Sequence, residues 1–133
     1  MTYRKKALVT GGGTGIGRSA VLALAHAGFD VAINYASSVK AAQAVAAEAQ
    51  AAGAQTMLLQ CDVSDDKAVR SMITQVGDAW GHLDALVNNA GTTATWKVKD
   101  LESLNMDEWD RTFAVNVRGT FQVARACVPL LKK

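Results

Sequence analysis

Apolar residues follow two alternating rhythms along the chain. Short runs with apolar residues at successive positions occur at Ala7-Leu8-Val9, Val31-Ala32-Ile33, Met57-Leu58-Leu59 and Ala85-Leu86-Val87. They read as strands buried on both faces, because a strand with one wet face would alternate apolar and polar residues. Between them apolar residues recur every three or four positions, the helical period. The first helix is predicted over 16–27, with Ile16, Ala20, Leu24 and Ala27 on one face and Gly28 as its stop. A second strand covers Val31 to Tyr35. Ser37 or Ser38 caps an alanine-rich helix that continues to Ala52, and Gly53 ends it. A third strand spans Thr56 to Cys61. Ser64 is the predicted cap of a third helix whose buried stripe is Val69, Met72, Ile73 and Val76. A fourth strand runs from Leu83 to Val87. Asn105 and Glu108 form a capping pair for one long last helix, with Trp109, Phe113, Val117, Phe121 and Ala124 on one face and Pro129 ending or kinking it.

Strands that alternate with helices and are apolar on both faces specify an α/β fold with a parallel sheet covered on both sides. Right-handed crossovers then give a Rossmann-like doubly wound sheet of strand order 3-2-1-4 over residues 1–133. Its ligand crevice lies at the switch between strands 1 and 4.

The first strand runs into Gly11, Gly12, Gly13, Gly15 and Gly17, and then directly into a helix. Such a loop lets backbone approach a ligand, and the helix start offers unpaired N–H groups and a positive dipole end. Gly15-x-Gly17-x-x-Ala20 fits a dinucleotide pattern. Gly12 through Ser19 nearly spells a triphosphate loop, but Arg18 stands where that loop needs lysine. A glycine-rich turn without a ligand is the third reading. Asn34-Tyr35, Cys61-Asp62-Val63 and Asn88-Asn89-Ala90-Gly91 end the next three strands and face the same crevice. Asp62 can accept from an adenine amino group, lead a helix near Ser64, or hold magnesium in the triphosphatase reading. Asn88 can tie neighbouring strands through its amide. Asn116 sits mid-helix, a place asparagine does not favour, either facing the crevice or facing solvent.

With 14 basic and 12 acidic residues the net charge is +2, which gives no case for nucleic acid or a membrane surface. No run is long and apolar enough to span a bilayer, and no apolar leader segment opens the chain. Cys61 and Cys127 are too few for a disulfide framework, and His26 and His82 lack partners at metal-ligand spacing. The expectation is a cytoplasmic chain with two free thiols and no metal.

Taken together, Thr10-Gly11-x-x-x-Gly15-x-Gly17, Asp62, Asn88-Asn89-Ala90-Gly91 and Asn116 within Asn-Val-Arg-Gly resemble the short-chain dehydrogenase/reductase family. The resemblance covers the whole chain. It is strongest to the 3-oxoacyl-acyl-carrier-protein reductase and glucose dehydrogenase branch, and it argues against the triphosphatase. It implies an NAD(P)-dependent oxidoreductase that moves hydride between nicotinamide and a small carbonyl or alcohol substrate. Gly11, Gly15, Ile16 and Gly17 would meet the pyrophosphate and nicotinamide, Asp62 and Val63 the adenine, and Asn89, Ala90 and Gly91 the ribose side. Asn116 would hold a relay water through its backbone.

The second strand ends Asn34-Tyr35-Ala36-Ser37-Ser38 without an acid to take a ribose 2′-OH, and Arg18 and the serines suit a 2′-phosphate. NADP is therefore the expected cofactor, with NAD the alternative. Thr14 stands where many NADP-using relatives carry a basic residue. The family's serine and Tyr-x-x-x-Lys are not found, since Ala7 and Val39 stand four residues after Tyr3 and Tyr35. The expectation is a chain truncated before a fifth strand, inactive by itself. An open strand edge and an uncovered helix stripe would then drive it into a homo-oligomer. A non-catalytic dinucleotide-binding or assembly fragment is the alternative.

Overall fold

Strands apolar at every position can be satisfied only by a cover on each face, and both covers are present. The computed structural model describes residues 3–97 and 99–133. Its elements are β1 (Lys5–Val9), α1 (Gly15–His26), β2 (Phe29–Tyr35), α2 (Val39–Ala51), β3 (Thr56–Gln60), α3 (Asp66–Trp80) and β4 (Ala85–Val87). A short 3-10 turn (Leu101–Ser103), α4 (Met106–Phe113), a π-helical segment (Ala114–Gly119) and α5 (Thr120–Leu131) follow. The four strands are parallel in the order β3-β2-β1-β4, with Val9 opposite Ile33 and Val87. The α/β fold and the strand order are those expected.

Alternation along each strand separates two cores. Leu8 and Ala32 point to the face covered by α3 and α5, where they pack with Val69, Met72, Val123 and Cys127. Val9, Val31 and Ile33 point to the other face, against Val21, Ala25, Ala42 and Val45 of α1 and α2. The alanines of α2 let that helix lie close on the sheet. The stripe predicted on α3 is the one buried, and each such apolar side chain contributes about 1.5–3 kcal/mol. Among the described residues no helix is long and apolar enough to cross a membrane.

Several local expectations give way. In α1 the buried positions are Gly17, Val21 and Ala25, one step round from the expected face, and Ile16 is 81 % exposed. Close backbone contact at Gly17 sets that rotation. Ser64 does not cap α3. Asp65 does, accepting from the Ala68 N–H, because the Ser64 hydroxyl is engaged by Asp62. Ser38 occupies the N-cap position of α2 without a side-chain cap bond. Asn105 caps α4 by accepting from Asp107, one position before the bond a capping box would use. The strands β3 and β4 are shorter than expected. Leu83 instead donates its N–H to the Leu130 carbonyl. That tie and the burial of Leu130 carry α5 two residues beyond Pro129, where an end or a kink was expected. The long last helix contains the π-helical turn at 114–119, and Trp109, Phe113, Val117 and Phe121 are 48–59 % exposed.

Candidate functional site

The loops leaving the carboxyl ends of the strands are locked together by neutral groups. Thr10, 1 % exposed, accepts from the Asn89 and Ala90 N–H groups through one hydroxyl oxygen, each at 3.0 Å. Asn89 returns its Nδ2 to the Gly11 carbonyl at 3.0 Å. The tying amide is thus Asn89; Asn88, which was expected to do this, is exposed. The two neighbours leave the extended chain on opposite sides, so only one of them can face the Gly11 carbonyl. Asn34 is buried, accepts from the Gly11 N–H and donates to the Leu59 and Cys61 carbonyls, each at 3.1 Å. Both polar groups of its amide are spent holding the ends of β1, β2 and β3 in register.

The glycine spacing now has a steric cause. A Cβ on Gly17 would stand 2.0 Å from the Gly11 carbonyl oxygen and 2.4 Å from Asn89 Nδ2. Gly11 itself has φ +60°, and a Cβ there would press on the Ala90 backbone at 3.1 Å. At Gly15 (φ +55°) a Cβ would meet nothing within 4 Å. That glycine is therefore required by conformation alone, and it leaves open space at the first turn of α1. A backbone cradle of this kind, at a helix start free of acidic side chains, fits a pyrophosphate.

Beside the cradle a cavity of about 360 Å³ lies across the strand ends. Gly11, Gly13 and Thr14 form one wall, and Asn34, Tyr35 and Ser37 the end beyond β2. Asp62 and Val63 line it after β3, and Asn89, Ala90 and Gly91 after β4. Gly15, Ile16, Gly17 and Arg18 lie outside this lining. Arg18 makes a forked pair with Glu48 on α2, both oxygens at 2.8 Å. Asn116 reaches the wall through Thr92, accepting its N–H and donating to its carbonyl at 2.8 Å each. Its place in the π-helical turn accounts for an asparagine in mid-helix, since the amide fastens the loop after β4.

One lining residue has no local signal in the sequence. Arg111 of α4 donates to Asp62 Oδ2 at 2.8 Å and to the Ser64 hydroxyl at 2.7 Å. Asp62 also accepts the Ser64 N–H and hydroxyl at its other oxygen. Burial would raise the Asp62 pKa, but the bonds from Ser64 and Arg111 outweigh it and hold the carboxyl below its ordinary value. Arg111 pairs with a residue 49 positions away, which no periodicity can announce. Cys61, also at the cavity, is pushed up to about 11 by burial and by the Asp62 and Asp65 charges. A thiol so raised is no nucleophile at neutral pH.

The chain is similar to known proteins over nearly its whole length. The family described as short chain dehydrogenase matches residues 5–133. The 3-oxoacyl-acyl-carrier-protein reductase FabG of Staphylococcus aureus is 41 % identical over 129 residues, covering 97 % of this chain and 51 % of that protein. Versicolorin reductase stcU of Emericella nidulans is 43 % identical over 121 residues, covering 91 % and 45 %. A solved short chain dehydrogenase of Burkholderia cenocepacia in complex with NADP superposes with a TM-score of 0.86 at 43 % identity, covering 96 % and 51 %. The chain spans about half the length of the curated relatives it matches.

Proposed function

Because the chain belongs to the short-chain dehydrogenase family, we propose that it forms the NADP-binding part, residues 1–133, of a carbonyl reductase or alcohol dehydrogenase. The observation that carries this is the interlock of Thr10-Gly11 with Asn89-Ala90. It brings the glycine turn of α1 and the cavity over β1 and β4 together. Gly13, Thr14 and the first turn of α1, with Gly15, Ile16 and Gly17, would hold the pyrophosphate. Asp62 and Val63 would take the adenine, and Asn89, Ala90 and Gly91 the ribose next to nicotinamide. Bound there, the nicotinamide supplies or accepts the hydride of a carbonyl/alcohol interconversion.

Tyr35 ends β2 and Ser37 follows it without an acid, which favours the 2′-phosphate of NADP over NAD; the solved relative in complex with NADP supports the same choice. Arg18 would have to leave Glu48 to take part. These 133 residues hold no Tyr-x-x-x-Lys, so they bind dinucleotide without turning over substrate. The test is a fluorescence titration with NADPH and NADH. Tighter NADPH binding is expected, tighter NADH binding overturns the preference, and binding of neither overturns the reading.

The exposed stripe of Trp109, Phe113, Val117 and Phe121 favours a homo-oligomer in which a second copy covers it. Two buried free thiols fit a reducing cytoplasm. Sedimentation giving a monomer at high concentration would overturn the oligomer.

A further inference from the structure

We propose that Arg111 is a positioning residue for adenine recognition: braced on Ser64, its guanidinium holds the Asp62 carboxylate turned into the cavity with one acceptor site free. This rests on the dinucleotide reading above and adds a residue to it.

Asp62 and Arg111 are the only charged groups among the described residues lining the cavity. A carboxylate has about four lone-pair sites. Two on Oδ1 are filled by the Ser64 N–H at 2.9 Å and its hydroxyl at 2.7 Å, and one on Oδ2 by Arg111 at 2.8 Å. One site on Oδ2 remains, and a cavity donor such as an adenine amino group suits it. The ring closes because Arg111 also donates to the Ser64 hydroxyl at 2.7 Å, leaving that hydroxyl's own proton for Asp62. The planar fork fixes both bonds in one geometry, which the rotatable ammonium of a lysine does not.

The helical run that begins with α4 is docked without Arg111 farther along, through the π-helical segment and α5. Gln122 donates to the Val63 carbonyl at 2.8 Å, and a Cβ on Gly119 would meet Val63 Cγ2 at 2.7 Å. Arg125 pairs with Asp66 at 3.0 Å. The Arg111 side chain is itself 52 % exposed. Its removal therefore leaves the helix docked and changes only how Asp62 is held.

The discriminating probe is the hypoxanthine analogue of NADP, which lacks the amino donor. Affinities of both dinucleotides are measured by titration for the full-length protein and its Arg111→Ala, Arg111→Lys, Asp62→Ala and double Arg111→Ala/Asp62→Ala variants. One hydrogen bond to a charged group gives the unaltered protein about a tenfold preference for adenine. The preference falls towards one in Arg111→Ala, is partly kept in Arg111→Lys, and is no lower in the double variant than in Asp62→Ala. An unaltered protein that binds both dinucleotides equally, a preference unchanged in Arg111→Ala, or additive losses in the double variant each overturn the proposal. Binding of neither dinucleotide overturns the dinucleotide reading, and this inference with it.

Discussion

The two ends of the sheet are held together by opposite means. At the carboxyl end, hydroxyl and amide groups of Thr10, Asn34 and Asn89 join backbone to backbone, and glycines bring main chains into contact. At the amino end the fastening is ionic. Asp30, whose side chain is 4 % exposed, takes Arg4 at 2.9 Å and Lys6 at 2.6 Å, and also accepts the Gln55 N–H at 2.8 Å. Arg4 continues to the Ala25 carbonyl near the end of α1 and the Phe29 carbonyl at the start of β2. The carboxyl end carries one ion pair, Asp62 with Arg111, and the first turn of α1 there holds no acidic side chain. The division teaches that one end carries stability through charges and the other keeps a surface on which an anion can rest.

The sharpest way to break the contrast is to put a methyl group where the carboxyl end has none. Gly17→Ala places a Cβ 2.0 Å from a backbone oxygen that cannot move without disrupting β1. More than about 4 kcal/mol of stability should be lost, and urea denaturation measures it. Asp30→Asn comes next, with a loss of about 3 kcal/mol, since two cations lose their buried partner.

The same carboxylate gives the amino end a pH signature. Burial would raise the Asp30 pKa, but bonds from Lys6, Gln55 and Arg4 together lower it below 3.8. A depressed carboxyl stabilises the fold above its unfolded value, and the contribution fades as pH drops through the folded value. Stability should therefore fall below about pH 4, and Asp30→Asn should flatten that limb in acid denaturation curves. Thr10→Val tests the carboxyl end without adding bulk. It strands two N–H groups, and about 2 kcal/mol should be lost, with no change in the acid limb.

Smallest is Phe113→Asp, outside both ends on a half-exposed position. Stability of the monomer should change by less than about 0.5 kcal/mol, while sedimentation should show the proposed homo-oligomer reduced to single chains.

Most of the architecture was legible because period and burial agree. The α3 stripe follows from side-chain pattern, and the order of the strands from that pattern joined to right-handed crossovers. The failures share a cause. Hydrophobic pattern ranks a helix face by its side chains, so it favoured Ile16 and could not weigh Gly17, which is buried by virtue of having none. Ser64 and Asp65 are both competent caps, and the choice turns on Asp62 having claimed the first. Asn88 and Asn89 differ only in the side of the strand they leave. For the site, the glycines and Asn89 stood in the sequence as a spacing, whereas Arg111 acquires its role from a loop 49 residues earlier.

A buried cysteine, finally, gives the molecule an internal clock. Cys61 and Cys127 are buried, and their thiols are raised to about 11 and about 12. Cys61 also borders the cavity, but a thiol-labelling reagent must wait for the protein to open before it reaches Cys127, so the Cys127 rate counts excursions from the native state. Both belong to the core beneath α3 and α5, and neither to the one beneath α1 and α2. Labelling of Cys127 therefore times the breathing of one half of the sandwich and is blind to the other.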